Sequence, residues 1–347
     1  MKLTLSADPI PVVARFQRFL HHHLLALLLT AYALAVVAPG PGVGLRARSL
    51  GHIAGVDLSA PFLGLSFLLL SAGLGASLGE LRGVLRRPGL LVAGLVGNTV
   101  VPMIVLVLLS LALSLWQEPE EAQVILVALA LVGAMPIAGS STTWAQHTAG
   151  NVSLSLSLVL LSTLLSPLLI PRFLGAASRL TTGAYAEDLA ILAQAGGGAF
   201  MVLSVVGPAS LGLLMRWCLG ARLLQPWMPW IKVLGLLDLL VLNYANAALS
   251  LPQVVQFPDY DFLLILVLVT SSMCLAGYWA GWNLPRWLGG GRAEQTSMSF
   301  AMGMSNNGTG LVLASTFLPH HALVLLPLIL FNLIQQIVAG AMARRDP

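Results

Sequence analysis

The sequence predicts an all-α polytopic membrane protein: ten transmembrane helices in two inverted five-helix repeats, two of them interrupted around a polar site. Three observations predict it. Of 347 residues, 57% are hydrophobic and only 9% charged, and the mean hydropathy is +0.89, which leaves too few charges to cover a water-soluble body of this size. Apolar runs of about 20 residues, the length that crosses a bilayer core, recur along the chain. Two such runs are broken in the same manner, at Gly133 to Asn151 (GAMPIAGSSTTWAQHTAGN) and at Ala301 to Gly310 (AMGMSNNGTG). Backbone that leaves the helical ladder in lipid must find partners in protein or in a water-lined cavity, so the pair of breaks points to one polar binding site.

Met1 to His23 carries Lys2, Arg15 and Arg18 and leads into the apolar run Leu24 to Pro39. The small residues of AYALA (Ala31 to Ala35) suit a signal cleavage site, but a lead of this length is long for one, so a retained first span is expected. His21, His22 and His23 have no carboxylate nearby in sequence and read as an interfacial trio rather than metal ligands. Further spans are expected at about 62–79, 89–115, 122–147, 151–171, 188–215, 227–249, 262–284, 296–317 and 322–343.

Placing the N-terminus in the cytoplasm leaves just Arg46, Arg48, Arg172 and Arg179, of 17 Lys and Arg, on the outside. The acidic loops around Glu118, Glu120 and Glu121 and around Asp259 and Asp261 fall on that same outer side. Cationic residues gather on the cytoplasmic side of membrane proteins, so both termini are expected there, with the protein multi-pass in the inner (plasma) membrane. The same topology accounts for the net charge of +4, and no nucleic-acid partner is expected.

The polar connection Arg172 to Asp188 divides one transmembrane unit, 1–347, into halves of about 15–171 and 187–343. Five spans per half force opposite insertion, the inverted-repeat plan of many secondary transporters. The fourth span of each half is the interrupted one. Corresponding interruptions mark a substrate site near the bilayer midplane.

In the first break Ser140, Ser141, Thr142 and Thr143 offer neutral oxygens suited to a small cation or a polar solute group. The alternative is that such hydroxyls bond back to their own turn or ease helix packing. The second break holds Ser305, Asn306, Asn307 and Thr309, and consecutive amides in an apolar span need partners. On the following span of the first half, Ser153 and Ser157 share a face that Ser155 does not. Asn332, Gln335 and Gln336 give the last span a polar patch able to line the same cavity.

Asp238 lies deep in the span 227–249 and is a candidate proton or cation site, with pairing to Asn243 or Asn246 as the structural alternative. Lys232, beside Trp227 and Trp230, reads as an interface anchor. His147, at the end of the first broken span, reads as interfacial. Cys218 and Cys274 form no metal spacing and no disulfide framework. An intramembrane hydrolase would need a nucleophile and base from the SSTTW run and His147, without an H-E-x-x-H motif or paired membrane aspartates. Transport rather than catalysis is therefore expected, with no catalytic residue and no cofactor other than a coupling ion.

Four landmarks keep a common order: LGLSFLLLSAGLGASLGELRGVLRRPG (Leu63 to Gly89), the proline-broken stretch Gly133 to Asn151, STLLSPLLIP (Ser162 to Pro171) and GMSNNG (Gly303 to Gly308). With these the chain resembles the bile acid:sodium symporter family in its bacterial ten-span form. The resemblance implies a core domain of helices 3, 4, 5, 8, 9 and 10, a panel of helices 1, 2, 6 and 7, and a crossing of helices 4 and 9 at their breaks. It implies a small organic-anion solute, a bile acid-like or other carboxylate or sulfate, carried with sodium by alternating access, and membrane lipid as the other partner. Related carriers in the superfamily take arsenite or auxin-like acids.

Residue by residue, the resemblance implies sodium contacts at Ser141, Ser155 and Thr142, the last where the family has Asn. It departs at Val159 (family Thr), Ala301 (family acid), Ser305 (family Gln) and Gly97 (family Gln), with Asn98 adjacent. Losing the acid removes the charge that balances a bound cation. Three modes of coupling follow: a sodium site of neutral oxygens, protons through Asp238, or none.

Overall fold

The structure, a computed structural model, describes residues 11–53, 56–76, 88–318 and 321–344. Lys2, the end of the second expected span and the basic cluster Arg82, Arg86 and Arg87 lie outside the described residues, as do the side chains of His21 and His22. The described chain is mostly helical. Its helices are α1 Pro11–His22, α2 Leu24–Val37, α3 Pro39–Ala47, α4 Ala60–Gly75, α5 Pro88–Leu113, α6 Pro119–Ala134, α7 Ser140–His147 and α8 Val152–Ala177. There follow α9 Ala184–Gly197, α10 Ala199–Leu224, α11 Met228–Ala247, α12 Leu251–Gln256, α13 Tyr260–Trp287, α14 Arg292–Gly303, α15 Asn307–Phe317 and α16 Leu325–Ala343.

Among the described residues six helices are long and apolar enough to cross a membrane: α5, α8, α10, α11, α13 and α16. The pair α2 and α3 would add a seventh if counted as one span, although it bends by 90°. Pro39 explains the bend, because it lacks the N–H that would continue the helix and its ring disfavours helical backbone at Ala38. The carbonyl freed at Ala38 accepts from the Tyr244 hydroxyl at 2.6 Å.

Two expectations need correction. The expected single span 188–215 is divided at Gly198 into α9 and α10. Gly196 and Gly197 bring this chain against Ile170 and Pro171 of α8, where a Cβ on either glycine would stand within 2.8 Å of a side chain, and Val202–Val206 relaxes into a π-helical turn. The chain is also not wholly helical: β1 Ser49–Ile53 and β2 Val56–Ser59 form an antiparallel hairpin. A contact of 2.6 Å between the His52 ring and the Asp57 carboxylate crosses the hairpin, and the Ser59 hydroxyl caps α4 by accepting from Phe62 N–H.

Packing sorts the helices by surroundings. Residues Val124 to Ala134 of α6 are buried on every side, as an all-round apolar helix at the centre of a bundle must be. On α5, by contrast, Val92, Val96, Val100, Ile104 and Leu108 recur every fourth residue and are exposed, an apolar stripe that suits lipid. The described residues thus build a multi-pass helical membrane protein.

Candidate functional site

The two sequence breaks meet. Pro136 ends α6 by removing a donor, and α7 starts at Ser140. In the second half α14 stops at Gly303, Met304 turns extended, and α15 starts at Asn307. The two freed strands pair antiparallel, Ile137 opposite Ser305. Ala138 N–H donates to Met304 O at 2.9 Å, and Asn306 N–H donates to Pro136 O at 2.8 Å.

Two further donors at the crossing are taken by side chains. Ile137 N–H donates to the Ser162 hydroxyl at 3.1 Å, and Ser305 N–H donates to Gln335 Oε1 at 3.0 Å. Non-helical backbone inside an apolar bundle thereby keeps its hydrogen bonds. Gly303 is required by the approach of Tyr278, whose ring occupies the place of a Cβ.

Certain side chains beside the crossing have no such partner. Ser141 Oγ, both polar atoms of the Asn307 amide and Thr309 Oγ1 are buried without a hydrogen-bond partner. All three residues lie in the first turns of α7 and α15, the two helices that begin at the crossing. Each helix therefore has its N-terminal end, with its partial positive charge, beside the crossing and next to buried, unpartnered polar groups of its own. Such groups lose about 1–3 kcal/mol each unless something bonds them.

The other candidates divide. Thr142 Oγ1, on the residue after Ser141, lies 3.2 Å from Ser155 Oγ. Ser140 opens α7. Asn306 serves as the cap of α15, accepting from Thr309 N–H. Gln336 accepts from the Trp144 indole at 3.0 Å and so ties α16 to α7. Asn98 lines a cavity of about 10 Å³, room for about one water, behind the first break beside Pro136 and Ser162. Ser157 bonds back to Ser153 O.

Asp238 stands on α11 with one carboxylate oxygen against Gly64 of α4 and the other without a hydrogen-bond partner. The amides that might have paired with it are engaged elsewhere. Asn243 accepts from the Tyr32 hydroxyl (2.8 Å) and from Asn332 (3.0 Å), and Asn246 accepts from Arg46 and Ser315. Sequence reasoning missed the resulting relay, Tyr32 to Asn243 to Asn332 to Gln335 to Ser305 N–H, which links α2 and α11 to the second break. Its only sequence signal is isolated polar residues within apolar helices.

Of the positions that depart from the family pattern, Val159, Ala301 and Gly97 have apolar surroundings, whereas Ser305 stands at the polar crossing. Val159 and Ala301 belong to one buried cluster with Ile137, Leu158, Met298 and Met302. A Cβ on Gly97 would stand 2.8 Å from the Met302 methyl, so the room a glutamine side chain would need there is filled by a thioether. Among the described residues no group of three or more His, Cys, Asp or Glu is placed to hold a metal ion.

Comparison with known proteins gives two matches. The model of the sodium bile acid symporter family matches residues 62–257, a stretch that includes the first break and stops short of the second. An uncharacterized protein of Bacillus subtilis (strain 168), YbaS, is 31% identical over 219 residues, which is 61% of this chain. The match spans 65% of that relative's length.

Proposed function

This chain belongs to the sodium bile acid symporter family, and from that premise we propose that it is a secondary carrier of a small organic anion. The observation that carries the proposal is the paired crossing, flanked by two helix N-termini, one beside the buried, unpartnered hydroxyl of Ser141 and the other beside the unpartnered groups of Asn307 and Thr309. That is the environment a carboxylate or sulfate needs when it leaves water: fixed donors and positive dipole ends at no reorganisation cost. In this reading the chain has ten spans in two inverted repeats, because each broken pair then counts as one span, α6 with α7 and α14 with α15. The panel and the core alternate about the crossing, with both termini in the cytoplasm.

Coupling departs from the family's pattern. Ser141, Thr142 and Ser155 supply hydroxyls, but no carboxylate stands at Ala301 to balance a sodium ion, and Val159 offers no oxygen. Asp238, with an unpartnered carboxylate oxygen inside α11, favours a second reading in which protons supply the driving force.

The test is uptake of a labelled organic-anion panel into proteoliposomes with sodium and proton gradients imposed separately. A proton gradient is expected to drive accumulation and a sodium gradient to add less than twofold. Asp238→Asn should retain downhill exchange and lose accumulation. Accumulation driven by sodium alone and indifferent to Asp238→Asn would overturn the proton reading and leave the carrier itself standing.

A further inference from the structure

At the end of the bundle where α10 turns back into α11 lies a half-open cavity of about 420 Å³, lined among the described residues by Gly75, Arg216, Ala221, Gln225, Met228 and Lys232. It lies between α4, α10 and α11, and none of the crossing residues lines it. We propose that it is a binding site for the phosphate headgroup of an anionic phospholipid.

Among the described residues the lining has one sign of charge. Arg216 and Lys232 are cations without a carboxylate among the described lining residues, and Gln225 adds an amide that can donate. The volume falls in the range of pockets that hold small ligands, about 300–1,000 Å³. Backbone geometry builds the site: Gly220 takes φ +74° inside α10, a left-handed conformation open to glycine, and so turns the chain between Arg216 and the Ala221 to Gln225 segment.

The surroundings favour a lipid over a soluble anion. Trp217 and Trp227, 68% and 63% exposed, flank the cavity in sequence, with Leu219 and Leu223 also exposed. Exposed tryptophans mark the level of lipid headgroups, and exposed leucines beside them suit acyl chains. This is also the side on which the charge count places the cytoplasm, where anionic lipids meet basic pockets between helices.

The purified full chain is equilibrated in detergent with equal amounts of phosphatidylglycerol and phosphatidylcholine of matched acyl chains, and retained lipid is read by native mass spectrometry. Phosphatidylglycerol should be retained preferentially. Arg216→Gln or Lys232→Gln should each weaken that preference roughly fivefold and the double variant about 25-fold. Arg216→Lys should restore most of it, and Arg172→Gln with Arg179→Gln should change nothing. Quenching of tryptophan fluorescence by brominated phosphatidylglycerol, stronger than by brominated phosphatidylcholine, gives a wild-type readout that needs no variant. Equal retention of the two lipids, or a double variant that binds like the wild type, would overturn the proposal. So would displacement of phosphatidylglycerol by equimolar glycerol 3-phosphate, which would assign the cavity to a soluble anion.

Discussion

Asn307→Leu is expected to lower solute uptake by roughly a hundredfold while leaving the protein as stable as before or more so. The amide is 2% exposed, and neither its oxygen nor its nitrogen has a partner. A leucine of similar size removes two unsatisfied polar atoms, and relieving such atoms is neutral or stabilising by about 1–3 kcal/mol. In the transport cycle the same amide bonds the solute or its counter-ion, and a hydrogen bond to a charged group is worth about 1.5–3 kcal/mol, the larger value corresponding to about a hundredfold. Thermal unfolding in detergent and uptake in proteoliposomes, measured on the same preparation, check both halves. A lower melting temperature with unaltered uptake would show Asn307 to be a packing residue.

Gly212→Leu is expected to prevent recovery of monodisperse protein. Here α4 and α10 touch backbone to backbone. A Cβ on Gly212 would stand 2.8 Å from Leu74 N and closer still to Leu70 O, and a Cβ on Gly73 would stand 2.9 Å from Leu213 N and closer still to Ala209 O. Small residues permit such approach in membrane helices, where packing rather than water drives association. Even Gly212→Ala should destabilise by about 1–3 kcal/mol through overpacking, and leucine by more. Gly175→Ala, where nothing lies within 4 Å of the added carbon, is the control and should leave the melting temperature unchanged or raise it. Size-exclusion profiles and melting curves of the three variants read the difference.

The breaks were legible because their signal is local. Pro136 stands between glycines and ahead of a run of hydroxyl residues, unlike Pro102 of α5 or Pro167 and Pro171 of α8, which continuous helices carry, and Ser305 to Asn307 are residues that lipid tolerates only with partners. Their matching character pointed to one polar site, and the structure shows the two freed strands paired there. The partners of the amides were not legible. Asn243 lies five residues beyond Asp238, which on a helix of 3.6 residues per turn places it about 140° around the axis, so it turns to Tyr32 and Asn332 instead. The hairpin at Ser49 to Ser59 has no strong alternation of apolar and polar residues, and the split at Gly198 depends on Ile170 and Pro171, which are close in space and distant in sequence. Met302 and Leu284 filling the place of a glutamine at Gly97 likewise required the packing of three helices to be seen.

The most direct measurement is uptake of a labelled panel of carboxylates and sulfates by proteoliposomes containing the wild-type chain or Ser141→Ala, with the recovered solute identified chemically. A carrier whose site is the crossing moves at least one of these anions into the vesicles unchanged, and Ser141→Ala, folded to the same melting temperature, moves it at least tenfold more slowly. Uptake no greater than in empty vesicles for every anion, equal uptake by the variant, or a solute recovered as a hydrolysis product would contradict it.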